Sequence, residues 1–109
     1  MRPVTYTVAG TAPSPVCPLD HYVSPSNVAL GVQVSGTVDY TVQYTFDDVF
    51  AAGYDPAAGN WTNHPTLSGK SASLDSNIAY PVRGVRILLN SGTGTATLTI
   101  IQAGGGGLA

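Results

Sequence analysis

The sequence predicts an all-β fold, a jelly roll or β-sandwich of about six to eight antiparallel strands with one long irregular loop. Three observations predict it. Several segments alternate apolar and polar residues with a period of two; 13 glycines and 8 prolines punctuate the chain; and no stretch keeps a helical apolar period for three turns. "RPVTYTVAG" sets Val4, Tyr6 and Val8 against Thr5 and Thr7, the pattern of a half-buried strand. In "GTAPSPVCP" Pro13, Pro15 and Pro18 cannot donate to a central ladder, so this is an extended loop or a sheet edge. "LDHYV" reads as a short strand. "VALGVQV" then puts Val28, Leu30, Val32 and Val34 on one face.

"TVDYTVQYTFDD" follows, with Val38, Tyr40, Val42, Tyr44 and Phe46 as a core face opposite Thr37, Asp39, Thr41, Gln43 and Thr45. The intervening Ser35-Gly36 predicts an antiparallel hairpin between these two strands. From Asp47 to Asn77 the pattern breaks, and this stretch of about thirty residues reads as irregular, functional surface. "DDVFAA" is compatible with a single helical turn. Alternation returns in Val85, Ile87 and Leu89 and, beyond "NSGTG", in Ala96, Leu98 and Ile100, which predicts a second hairpin. The reading is one domain over residues 1–104 and a flexible glycine-rich tail over 105–109.

Composition narrows the function. Charged residues make up only 9% of the chain and the net charge is −2, so four basic residues cannot neutralise many phosphates or lipid headgroups. Nucleic acid and membrane are not expected partners. No apolar run is long enough to span a bilayer, and "MRPVTYTVAG" lacks the apolar core of a secretory signal, so synthesis in the cytoplasm is expected. So few charges leave a small domain's surface poorly protected against association, which suggests that a partner covers part of it.

Catalytic patterns are weak. Asp47 and Asp48 are adjacent, so on an extended chain their carboxylates face opposite ways; strand termination by an Asx turn is the simpler reading. Asp47, Asp48, Asp55 and Asp75 lack the ligand spacing of a calcium loop, and the chain has no glutamate. His21 and His64 stand in no metal-binding or triad arrangement, and single Cys17 reads as a buried thiol. No cofactor is called for, and the chain is not expected to be an enzyme. In the irregular stretch the aromatics Phe50, Tyr54 and Trp61, with His64 beside them, form the candidate partner interface. Trp61 doubles as a candidate anchor for the loop.

The segments "GTVDYTVQYTFDDVF", "NWTNHPTLSGKSAS" and "NIAYPVRGVRILLNSGTGTATLTIIQAG" resemble, in texture and order, small virion proteins of tailed bacteriophages, in particular capsid decoration or cement proteins. The resemblance implies a jelly-roll or sandwich module that forms a homo-oligomer, a dimer or trimer, and clamps the major capsid protein on the virion exterior. Another virion component, of tail, collar or fibre, is the alternative it leaves open, and a carbohydrate-binding module built on Trp61 is a third.

Overall fold

In the computed structural model the described residues are 3–10, 13–19, 27–49, 51–55, 58–79 and 82–102. They form eight strands: β1 (Val4–Ala9), β2 (Cys17–Pro18), β3 (Val28–Ser35), β4 (Val38–Thr45), β5 (Trp61–Lys70), β6 (Leu74–Ile78), β7 (Gly84–Gly92) and β8 (Thr95–Gln102). Two four-stranded antiparallel sheets result, ordered β1-β8-β3-β6 and β2-β7-β4-β5. Only the β4–β5 connection stays within a sheet; the other six cross from one sheet to the other. This is the connectivity of a double-sheet jelly roll.

Alternation sets what each sheet buries. Leu30, Val32, Leu98 and Ile100 of the first sheet face Tyr40, Val42, Val85, Ile87 and Leu89 of the second, all 0–1% exposed. Cys17 is buried as a free thiol. Tyr40 brings a hydroxyl into this layer and satisfies it on the Ala72 carbonyl at 2.7 Å, in the corner that carries the chain from β5 to β6. The opposite face of β1 and β8 carries Thr5, Thr7, Thr95, Thr97 and Thr99, and Thr7 Oγ1 lies 2.9 Å from Thr97 Oγ1.

Both expected hairpins are absent. β3 pairs with β8 and β4 with β7, so the Ser35-Gly36 turn and the 92–94 turn are arches between sheets. Opposed residues of an antiparallel pair share a face, and a two-residue loop would oppose Val34 to Thr37. That would put the Leu30, Val32, Val34 face of β3 on the same side as Asp39, Thr41 and Gln43. Crossing to the second sheet lets both apolar faces point inward. The two arches pack backbone on backbone: Gly94 N–H donates to Thr37 O at 2.9 Å, and a Cβ on Gly94 would collide with the Ser35 carbonyl.

The stretch from Asp47 to Asn77 is also more regular than its sequence suggests, since it contains β5 and β6. Period two is lost because β5 is bulged. Between Gln43↔Asn63 and Thr41↔Ser68 the partner strand advances five residues while β4 advances two, so the inward side chains, His64 and Leu67, are three apart. Two smaller expectations change as well. Phe46 lies beyond the end of β4 and is 58% exposed, outside the core. The loop after it makes i→i+3 turns closing at Ala51, Tyr54 and Ala58 in place of a helical turn. Most of "LDHYV", His21, Phe50 and the 105–109 tail lie outside the described residues.

Candidate interaction surface

The loop over 46–60 and the outer face of the β2-β7-β4-β5 sheet meet in one patch. Register explains why. Asn63, Gln43 and Arg86 occupy one row across β5, β4 and β7, and Trp61, Thr45 and Gly84 occupy the next. In the first row Gln43 Nε2 donates to Asn63 Oδ1 at 2.9 Å, and Arg86 Nε donates to Gln43 Oε1 at 2.9 Å. The Arg86 guanidinium then reaches over Trp61, its central carbon 4.1 Å from the ring centroid, a cation–π contact. Burial pushes Arg86 down from the ordinary arginine value, while neighbouring Tyr54 acts in the opposite sense.

In the second row the loop comes down onto the sheet. A Cβ on Gly84 would stand 3.0 Å from side-chain carbons of both Val16 and Val49, so glycine there lets two flanking segments settle on the sheet. Thr45 is fully buried beneath them. Its hydroxyl donates to Asn60 O at 2.9 Å and accepts from Asp47 N–H at 3.0 Å. The Asp47 carboxylate accepts from Asn60 N–H at 2.7 Å. Asp47 therefore ties the two ends of the loop together across thirteen residues, where an Asx turn onto its own backbone was expected. Asp48 lies 4.0 Å from Arg83 at the surface, an exposed contact of little energetic weight.

The four expected interface residues separate into different roles. Phe50 lies outside the described residues. Trp61 opens β5, half-buried under Arg86, and so stands on the sheet where an irregular loop was expected. Tyr54 is half-buried, and its hydroxyl sits in a buried position among the described residues without a hydrogen-bond partner. A Cβ on Gly59 would meet that hydroxyl, Trp61 Nε1 at 3.0 Å and Asp47 Oδ2 at 3.2 Å, so three polar atoms converge on one small residue.

His64 is turned inward and 3% exposed, so its side chain does not contribute to the surface. Its Nδ1 accepts from Thr66 N–H at 3.1 Å, which leaves Nε2 to donate to Asn77 O at 2.9 Å. The imidazole thus links β5 of one sheet to β6 of the other. It also lies edge-on to Tyr44, which in turn meets Phe46 edge-to-face at 5.9 Å. Phe46 was expected in the core, and Arg86, Gln43 and Asn63, though polar, were not among the expected interface residues. Gln43 and Arg86 are 43 residues apart and become neighbours only through the β4–β7 register, which no local turn signal specifies.

No protein-family model matches the chain, and no curated protein or solved structure matches it significantly.

Proposed function

We propose that this chain is a non-enzymatic structural protein of a bacteriophage virion, of the decoration or cement kind, which binds the outer surface of the major capsid protein shell and stabilises it. The observation that carries the reading is the way the polar groups of the patch are used. Gln43, Asn63 and Arg86 are bonded to one another, Asp47 and Thr45 to the loop backbone, and His64 to two backbone groups. Such a network fixes a surface in shape and supports recognition more readily than turnover. Beside it, Phe46 presents an exposed aromatic ring at the end of the sandwich, the residue type that anchors interfaces. Binding to an assembled shell stabilises only the state that displays its site, so a few such contacts repeated over a lattice would reinforce it.

The test is co-sedimentation of the purified protein with undecorated, expanded shells of the phage that encodes it, followed by heating of decorated and bare shells. Saturable binding, weakened by Phe46→Ala and Trp61→Ala, together with a raised shell disruption temperature, is expected. Shells that neither bind the protein nor gain stability from it overturn the reading. Localisation to the tail, collar or fibre by labelling of whole particles would move the role to another virion part. The carbohydrate alternative is disfavoured on one ring face of Trp61, which Arg86 already covers, and glycan-array binding lost on Trp61→Ala would restore it.

A further inference from the structure

We infer that β1 is an open sheet edge through which two copies of this chain pair, strand against antiparallel strand, joining their β1-β8-β3-β6 sheets into one. A sheet edge presents unpaired backbone N–H and C=O groups, and folded proteins block it with proline, charge, bulges, short strands or side-chain caps. Among the described residues the four edge strands are β1, β6, β2 and β5. Three of them carry such blocks. β5 contains Pro65, a bulge, Gly69 at φ +62° and a terminal Lys70. β2 is two residues long and includes Pro18, and beyond it Ser14 caps β7, its N–H donating to Ile87 O at 2.8 Å and its Oγ accepting from Ile87 N–H at 3.0 Å. β6 has five residues with Asp75 exposed, and its Asn77 carbonyl is taken by His64.

β1, six residues long and preceded by Pro3, carries no such block within its span among the described residues. Val4–Ala9 contains no charge and no proline, and its register with β8 runs unbroken from Val4↔Ile100 to Ala9↔Thr95. Two of its inward side chains, Val4 and Tyr6, are only half-buried against the core. A second β1 laid antiparallel would supply their missing neighbours. Directly opposed residues share a face, so Val4, Tyr6 and Val8 would meet their counterparts on the core side while Thr5 and Thr7 met theirs outside. The same strand serves both partners, so the contact is isologous. With the β6 end of the sheet capped, the pairing closes at two copies and does not propagate.

This pairing deepens the assembly reading above and names its oligomer, yet its test is independent of any shell. The mass of the wild-type chain is measured by light scattering across the micromolar range. The expected value is twice 11.1 kDa, with β1 amides protected from hydrogen exchange. Thr5→Lys with Thr7→Lys places like charges on both strands and should return the mass to that of one chain, while circular dichroism stays that of the wild type. Mixing this variant with a Thr5→Asp, Thr7→Asp variant should restore a dimer containing one of each, which a misfolded variant cannot do. A wild-type monomer or trimer, a dimer indifferent to the lysines, or a mixture that stays monomeric would each overturn the pairing. A dimer formed in this way by a protein that never binds shells would leave the edge inference intact and remove the cement reading.

Discussion

Replacing His64 by alanine separates a residue that holds the two sheets together from one that meets a partner. The substitution deletes two hydrogen bonds, to Asn77 O and from Thr66 N–H, each contributing about 0.5–1.5 kcal/mol. It takes the partner from two part-buried backbone groups and removes the buried ring that Tyr44 packs against. Together these give a loss of about 2–4 kcal/mol. For a chain of this length the corresponding fall in melting temperature is roughly 8–16 °C, at about 4 °C per kcal/mol. The assay is urea unfolding followed by the fluorescence of Trp61, the single tryptophan, with calorimetry to confirm the midpoint. Phe46→Ala is the comparator, because a ring 58% exposed should change stability by less than about 1 kcal/mol. A His64→Ala midpoint within about 0.5 kcal/mol of wild type, at unchanged m-value, would refute the reasoning and return His64 to the surface.

Other expectations follow from the same contacts. Gly94→Ala forces a methyl into the Ser35 carbonyl at the arch crossing, and should cost about 2 kcal/mol or more or prevent folding, measured by denaturant titration beside Gly31→Ala, whose Cβ position is open. Leu67→Ala, at the buried centre of bulged β5, should lose about 2–5 kcal/mol in the same assay. Burial raises Tyr6, Cys17 and Tyr40 above their ordinary values of 10.0, 9.0 and 10.0, so between those values and the raised ones the folded chain holds protons that the unfolded chain has released. Stability should therefore fall as pH rises beyond about 9. A stability that increases between pH 9 and 11 would contradict that sign.

The core face of every long strand except β5 was legible, because alternation survives where the extra residues of a bulge lie on a neighbouring strand, as those opposite β4 lie on β5 and β7. Val28 to Val34, Val38 to Tyr44 and Ala96 to Ile100 all point as their period requires. Pairing was not legible at the same level. A glycine turn suits an arch as well as a hairpin, and only the parity of Val34 against Thr37 distinguishes them. β5 hid for a different reason: with inward residues at 64 and 67 and Pro65 between, no two-residue period exists to be found. Of the patch, Trp61 and Tyr54 could be singled out as aromatics in polar surroundings. Arg86 and Gln43 could not, since they are far apart in sequence and meet only through the β4–β7 register.

The position of β8 has a consequence for how the protein is made. It lies between β1 and β3, pairing Ile100 with Val4 on one side and with Leu30 on the other. As the chain leaves the ribosome, β1 emerges early and waits without its sheet neighbour, and β3 can pair only with β6, until β8 arrives, Ile100 being some ninety-six positions after Val4. Contacts so distant along the chain make closure slow, and until then two apolar strands stay open to wrong partners. Closure of this sheet thus waits for β8, and a nascent chain arrested before residue 95 should be caught by chaperones or proteases, with the core faces of β1 and β3 lacking the strand that joins them.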